Sequence, residues 1–333
     1  MPRLSLDAVE TLAFDGLIAQ GAAPGPARSV ARSIRQAEAD DIPLVGLGYL
    51  PVYLSHLTSG KVDGRAVPTV RQTAAAVVQG DAAHGFAHPA FDRALPSLVE
   101  AARACGTASL AITRSYSAGV LGHWVEALAE RGLIALAATN APPSVAPWGG
   151  SVPLFGTNPI AFATPREGRP PLVFDQATSV VAKVSIVSAA REGRPLPPGW
   201  ALDAEGEPTT DAQAALKGSM LPFGGVKGGA LNLMVDLLAA GLTGANFSKD
   251  VPYYARTDGP PTGVGQFVVA FDPAAFDKGY AGRIETLFAA MLAQDGVRLP
   301  GDRRLAARER TAREGVMVDE ALLARIREGS QGR

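Results

Sequence analysis

Thr107-Ala108-Ser109-Leu110-Ala111-Ile112, then a helical stretch over 121–131, then Leu133-Ile134-Ala135-Leu136-Ala137-Ala138: this segment decides the fold. Each apolar run has the length of a strand and is too short for a helix that buries one face. A helix between two such strands is the unit of an α/β domain. Working outward, 91–104 reads as a helix on the N-terminal side, and the apolar runs 74–78, 160–163, 172–174 and 264–271 read as further strands. Outside this block the pattern turns helical. Residues 7–20 and 26–40 carry apolar side chains at helical intervals and are separated by Gly21 to Pro26. Asp7 with Glu10 three residues later has the spacing of an N-terminal cap. Residues 50–58 form a short apolar segment ended by Ser59-Gly60-Lys61, 212–217 and 228–240 read as helices, and 273–294 reads as mostly helix. The tail from 303 carries eight Arg against four Glu and one Asp, as a solvated helix or a frayed end would.

The composition excludes several function classes. Among 333 residues, 47% are hydrophobic and 19% charged, so a large core is available and wholesale disorder is not expected. Lys+Arg number 31 and Asp+Glu 32, a net charge of -1, which leaves no basic field to follow a nucleic-acid backbone. The single cysteine, Cys105, rules out an intramolecular disulfide and a cysteine-cluster metal site; it is expected to be a buried small thiol. No run offers the ~18 to 20 apolar residues of a membrane span, and the first residues have no signal-like core. A soluble, cytoplasmic protein is expected.

Generic motifs give little. There is no Gly-x-Gly-x-x-Gly between an early strand and helix, and no Walker-type loop. Gly224-Gly225-Val226-Lys227-Gly228-Gly229 is either a tight helix entry or a turn whose amides and Lys227 hold an anion. His84 and His88 are four apart, but Gly85 between them and Pro89 after them spoil a metal-binding helix, and no metal is expected. Asp175 ends an apolar run at a strand C-terminus, where α/β proteins gather ligands, or else caps the next segment. Asp203 sits in a Gly/Pro-rich loop as a turn residue. The Pro/Gly-rich loop 141–158 is long enough to be expected functional.

Pro147-Trp148-Gly149-Gly150, with Phe155-Gly156-Thr157-Asn158-Pro159, resembles the Pro-x-Gly-Gly…Gly-Thr-Asn-Pro signature of the malate/L-lactate dehydrogenase-like family. In order and spacing, Phe174-Asp175-Gln176-Ala177-Thr178-Ser179, Leu221-Pro222-Phe223-Gly224-Gly225-Val226-Lys227-Gly228 and Leu299-Pro300-Gly301-Asp302-Arg303-Arg304 resemble further segments of that family. The resemblance runs from about residue 5 to 310, and the Phe-Asp-Gln-Ala and Leu-Pro-Phe-Gly-Gly motifs resemble most those of the cyclic ketimine reductases within it.

The resemblance implies a non-Rossmann cofactor domain with a mixed sheet over 69–271. A mainly helical dimerisation and substrate domain is implied over 1–68 and 272–333, in a homodimer or larger homo-oligomer. It places Ser117, Ala118, Gly119, Asp175, Gln176, Ala177, Val226, Lys227, Gly301, Asp302, Arg303 and Arg304 on NADH or NADPH. The arginines lean toward NADPH, because a 2′-phosphate calls for a cation. Thr157 is expected beside the substrate.

One stretch departs from the family pattern. Where members carry Asp-Ser-His-Gly-x-x-Arg-Leu-Pro-x-Tyr, this chain reads Pro43-Leu44-Val45-Gly46-Leu47-Gly48-Tyr49-Leu50-Pro51-Val52-Tyr53. Leu44 and Val45 replace the Ser-His pair, Tyr49 replaces the carboxylate-binding arginine, and Ser117 replaces a second histidine. Leu44, Val45 and Tyr49 are thus the expected substrate-side residues. Tyr53, His56 and His123 are also titratable there, but Tyr49 and His88 are the preferred substitute proton donors, with Asp175 polarising a catalytic group. Ketone reduction makes an alkoxide and gains about 10²- to 10⁴-fold from a positioned acid, whereas a protonated imine already carries its proton. The expected activity is therefore reduction of a cyclic imine carboxylate such as piperideine- or pyrroline-2-carboxylate. A dehydrogenase of a small 2-hydroxy or 2-oxo acid and a non-catalytic cofactor-binding homologue stay open.

Overall fold

The first helix shows how local chemistry sets an element's boundary. In the computed structural model, which describes residues 1–330, α1 (Leu6–Ala19) starts at Ser5, whose hydroxyl accepts from the Ala8 N–H at 3.1 Å. The expected cap, Asp7, lies inside the helix and pairs with Arg35 at 3.3 Å instead, because Ser5 already satisfies the free amide. α2 (Pro24–Ala39) opens with proline in its first turn, where no N–H is needed. α3 (Leu50–Ser59) ends on Gly60 at φ +75, the left-handed stop that glycine adopts without strain.

β1 (Arg3–Leu4) precedes these helices; β2 (Thr69–Ala74) and β3 (Val77–Asp81) follow them as an antiparallel hairpin. The run 74–78, expected to be one strand, is therefore the hairpin's turn. Alanine is small enough to sit there half out in solvent, and the apolar count misled. Then come α4 (Ala87–Cys105), β4 (Thr107–Ser115), α5 (Leu121–Ala129), β5 (Ile134–Thr139), β6 (Ile160–Arg166) and β7 (Arg169–Gln176). β11 (Val264–Phe271) completes a seven-stranded mixed sheet in the order β2-β3-β4-β11-β5-β6-β7. Only the β3–β4 pair is parallel, bridged by α4. β11 runs antiparallel between β4 and β5, with Val268 opposite Leu110 on one side and Ala137 on the other. This is a mixed sheet with an antiparallel centre, unlike the all-parallel nucleotide-binding sheets. α4 and α5 cover one face, and Val78, Phe91, Leu98, Leu110, Ile112 and Leu128 pack into its main core. Burying a side chain of that size contributes about 1.5–3 kcal/mol.

A small unit grows from the chain after β7. It holds α6 (Lys183–Glu192), α7 (Ala212–Ala215) and a three-stranded sheet of β8 (Ala201–Leu202), β9 (Pro208–Thr209) and β10 (Ser219–Met220). Asp203 accepts from the amides of Glu205 and Glu207 at 3.0 and 2.9 Å, as a turn residue should. The loop 141–158 turns back on itself through Val145, which bridges both Phe155 and Met220. α8 (Val226–Asp236) follows and runs into a π-helical turn over Leu237–Gly241.

The chain's end divides in two. α9 (Pro273–Phe276) sits by the turn between α4 and β4, where Ala275 meets Gly106, and α10 (Tyr280–Leu292) lies against the outer strands, with Phe288 packed on Leu172 and Leu299, and Arg166 gripping Glu285 at 2.7 Å. Only α11 (Asp302–Glu314), β12 (Val316–Met317) and α12 (Glu320–Ser330) return to the N-terminal helices. There Val316, Val318, Leu323 and Ile326 share a core with Val9, Leu17, Ile34 and Leu54, and β1 pairs with β12. Residues 273–292, expected in the helical unit, thus sit on the sheet because Phe288 finds its apolar partner there. Cys105, expected to be buried, is exposed: it ends α4 at the rim of the sheet, clear of the apolar face.

Candidate active site

Three helix starts converge on the end of β7. The N–H of Gly122, in the first turn of α5, donates to Asp175 Oδ2 at 2.8 Å. A side chain at 122 would bring its Cβ to 3.1 Å from that of Asp175, so glycine lets helix and carboxylate meet. Gly301 has φ +92 and leads into α11 so close to β7 that a Cβ there would lie 3.0 Å from the Val173 carbonyl. Asp302 braces this turn by accepting from the Leu299 N–H at 2.9 Å. The third start is α8, reached through Gly224 and Gly225, both at positive φ. It is tied to the same region by Phe223 N–H donating to the Thr178 carbonyl at 3.1 Å. The α5 start already gives its Gly122 amide to Asp175, whereas α8 and α11 have no side-chain cap on their opening amides among the described residues.

Uncapped helix N-termini are ready-made seats for anionic groups. The glycine cradle and the free amides around Asp175, Gly301 and Lys227 therefore fit a dinucleotide's phosphates. Lys227 is exposed, as is Arg303, which has no ion-pair partner among the described residues. Arg304 is differently placed. It holds Glu126 through two bonds of 2.9 Å, approaches Asp40 at 3.5 Å, and is 13% exposed. Arg308 binds the same two carboxylates, and His123 Nε2 lies 2.9 Å from Asp40. Burial opposes charge on Asp40, but His123 and Arg308 more than offset it, and its pKa lies below the ordinary carboxylate range; Glu126 is lowered likewise by Arg308 and Arg304. At Asp175 the balance goes the other way: the surrounding protein raises its pKa against the pull of the Gly122 amide.

The loop before α3, expected from the sequence to face the substrate, is wound tightly. Gly48 N–H donates to the Pro43 carbonyl at 2.9 Å and Leu47 N–H to Glu38 at 2.7 Å, leaving Leu44 exposed and Val45 half-buried. Tyr49 then enters a nest of aromatic rings. Its ring lies 4.9 Å from Tyr53 and 6.4 Å from Tyr254, and Tyr116 sits 5.8 Å from Tyr53 and 5.5 Å from Tyr254. All meet edge to face, the geometry ring quadrupoles favour. The Tyr254 hydroxyl donates to the Tyr116 carbonyl at 2.8 Å. Burial raises the pKa of all four tyrosines, so the nest is neutral.

Hydrogen bonding fixes where its protons lie. His56 Nε2 is 3.0 Å from the Arg256 carbonyl, which can only accept, so Nε2 carries a hydrogen. With burial and then Lys61 lowering its pKa, His56 is neutral, its Nδ1 is bare, and the Tyr116 hydroxyl donates to it in a short bond.

The remaining candidates fall elsewhere. His88, on the first turn of α4, stands behind the Ser117-Ala118-Gly119 loop, where a Cβ on Gly119 would touch its Nε2. Both its ring nitrogens are buried without partners, and burial lowers its pKa to about 4, so it has no imidazolium proton to give at neutral pH. His88 faces a cavity of about 640 Å³ between α2, α4 and α5, lined also by Arg32, Asp92, His123 and Trp124. That cavity does not include Asp175, Lys227 or the tyrosine nest. Thr157 gives its carbonyl to the Thr178 N–H at 2.9 Å. Its neighbour Asn158, fully buried at φ +37, knots Ala141, Asn232 and Ser248 together. Among the described residues no cluster of three metal-ligating side chains occurs.

Tyr116, Tyr254, Lys183 and the Asp40–Glu126 carboxylates were not singled out from the sequence. Only Tyr116, adjacent to Ser117, stood near a motif.

Residues 4–327 match the malate/L-lactate dehydrogenase family. A (2R)-3-sulfolactate dehydrogenase (NADP(+)) of Chromohalobacter salexigens is 47% identical over 97% of each chain. A Δ1-pyrroline-2-carboxylate reductase of Burkholderia multivorans is 43% identical over 97% of this chain and 96% of that one. Among solved structures, the Δ1-piperideine-2-carboxylate reductase of Pseudomonas syringae superimposes with a TM-score of 0.93 at 42% identity, over 99% of this chain and 100% of that one.

Proposed function

Because the chain belongs to the malate/L-lactate dehydrogenase family, we propose that it is an NAD(P)H-dependent reductase of a cyclic imine carboxylate of the pyrroline- or piperideine-2-carboxylate type. The observation that carries this reading is the neutral tyrosine nest at Tyr49, with Val45 and Leu44 where the family pattern has an acid histidine and its serine. The cofactor supplies a hydride. What this chain's residues must add differs between substrates: a ketone needs a proton donor and an iminium does not. The nest suits the second case. Its hydroxyls stay protonated, and aromatic faces tolerate a cationic ring. Relatives at 43% identity are named for this activity.

The cofactor is held, in this reading, by the amides opening α8 and α11, by Ser117, Ala118, Gly119, Gln176 and Ala177, and by Lys227 and Arg303 as free cations. We favour NADPH, since Arg303 has no other anion to serve. Asp175, placed by Gly122, orients the reacting end. The unit 69–271 carries the cofactor and contributes Tyr116 and Tyr254 to the nest, and 1–68 with the chain's end from α11 carries Tyr49, Tyr53 and the α11 helix start. The protein is read as a cytoplasmic homodimer: Val226, Leu233, Leu237 and Leu242 form an exposed apolar row along α8 and the turn beyond it, which a second copy would cover. No helix among the described residues is long and apolar enough to cross a membrane.

The second reading, a 2-hydroxy acid dehydrogenase, is favoured by the 47% identical sulfolactate dehydrogenase. The two are separated by NADPH and NADH oxidation with pyrroline-2-carboxylate, piperideine-2-carboxylate and a panel of 2-oxo acids across pH. Turnover of the imines alone supports the proposal. Ketone turnover as fast as imine turnover overturns it, and cofactor binding without any turnover leaves a non-catalytic homologue.

A further inference from the structure

Removing an arginine from a site that binds carboxylates leaves an electrostatic vacancy. A substrate carboxylate drawn out of water needs a cationic or hydrogen-bonding partner, or it is not bound. The nest around Tyr49 offers hydroxyls but no cation to balance the charge: its tyrosines and His56 are neutral. Lys61, a cation packed beside it, is spent, since its Nζ donates to the Tyr253 and Arg256 carbonyls, both at 2.6 Å.

Those two bonds and the His56 bond to Arg256 fix the Tyr253–Arg256 segment in place. Tyr254 turns into the nest, and Tyr253 turns the other way, outward. Over the outward face of the Tyr253 ring, 5.2 Å from its centroid, stands the ammonium of Lys183. Lys183 opens α6, eight residues beyond Asp175. Among the described residues it has neither an ion-pair partner nor a hydrogen-bond acceptor. Lys183 lies exposed at the surface, where a lysine resting on a ring is the plain alternative, but the protein around it still lowers its pKa by partial desolvation. An unpaired, partly desolvated cation on a braced aromatic ring, one residue from the nest, is suited to receiving an anion.

We propose that Lys183 binds the substrate carboxylate in place of the family's arginine, with the tyrosines taking the ring. The proposal rests on the cyclic imine reading and sharpens it. One free cation matches a monoanion; a dianion such as a sulfonated 2-hydroxy acid would leave its second anionic group without a partner.

The test compares wild-type protein with Lys183→Met and Lys183→Arg, using NADPH and two imines: pyrroline-2-carboxylate and 1-pyrroline, which lacks the carboxylate. A charge-assisted hydrogen bond lost from binding raises KM roughly 10- to 100-fold. Lys183→Met is expected to do this for the carboxylate substrate, with kcat changed less than about threefold and KM for 1-pyrroline unchanged, while Lys183→Arg recovers most of the loss. An unchanged KM for the carboxylate substrate, or equal losses on both imines, overturns the proposal. If the wild type reduces only 2-oxo acids, the cyclic imine reading fails, and the same KM comparison on those acids still judges the lysine. If nothing turns over, calorimetric binding of pyrrole-2-carboxylate to the cofactor-loaded wild type and Lys183→Met proteins decides it: equal affinities refute the role, and a 10-fold or greater weakening supports it.

Discussion

Replacing Asp40 with asparagine removes one negative charge from a buried network while keeping the residue's shape. The Asp40 side chain is 0% exposed and accepts from His123 at 2.9 Å and from Arg308 at 2.7 and 3.0 Å. After the change, Arg304 and Arg308 must share Glu126, and His123 keeps only a neutral partner. Breaking a buried ion pair costs about 3–5 kcal/mol. Arg308 is one-third exposed and Glu126 remains, so about 2–3 kcal/mol is the discounted figure for this site. Unfolding entropy of about 2.1 cal/mol/K per residue amounts to about 0.7 kcal/mol/K for 333 residues, so Tm should fall by about 3–4 °C. The assay is calorimetric or fluorescence melting at pH 7, with Asp41→Asn as the control, because the Asp41–Arg310 pair is open to solvent. The pH profile adds a second reading. Asp40 and Glu126 have depressed pKa values when folded, so the unfolded chain takes up protons first as pH falls. Their contribution is full above the ordinary carboxylate range and is lost as pH drops through the folded values, so the variant should lose less stability in acid than the wild type. If Asp40→Asn melts within 1 °C of Asp41→Asn, the network does not carry the weight reasoned here.

Three further outcomes are expected. His88 has a folded pKa of about 4 against an ordinary value near 6.5; the unfolded chain gains a proton in that window and the folded one does not, so stability falls between those pH values. His88→Leu should therefore gain Tm relative to wild type at pH 5 more than at pH 8, and an equal difference at both would contradict the burial argument. Tyr49→Phe should lower kcat on a cyclic imine by less than about tenfold; a loss of 10² or more in steady-state assays would make this hydroxyl a proton donor after all. Gly301→Ala forces a Cβ into φ +92 and against the Val173 carbonyl, a strain of about 1–3 kcal/mol, and should weaken NADPH binding in fluorescence titration as well as lower Tm.

The α/β core was legible because the runs at 107–112 and 133–138 are mostly apolar along their length, with one face in the main core and the other half-buried. The hairpin at 74–78 was not, since alanine and valine are apolar whether or not they are covered. Family motifs pointed to the glycine turns, as each needs a backbone that only glycine supplies without strain. The tyrosine nest escaped because residues 49, 53, 116 and 254 come from three distant segments and no spacing relates them. The same holds for Asp40, Glu126 and Arg308: in sequence each is an ordinary charge on a helix, and only the docking of α2, α5 and α11 makes them interior.

The position of β11 sets the order in which the molecule can be made. β4 and β5 do not pair with each other; both pair with a strand that begins at Val264, some 125 residues after β5 ends. Until that strand has emerged from the ribosome, the two strands face an empty slot with unpaired amides and carbonyls, the kind of edge that other chains can zip onto. Closing so long a loop is also slow. The nascent protein therefore spends more than a third of its synthesis with an open seam through its centre, and a chain cut before residue 264 would be an aggregation-prone half-sheet, with no smaller working version to fall back on.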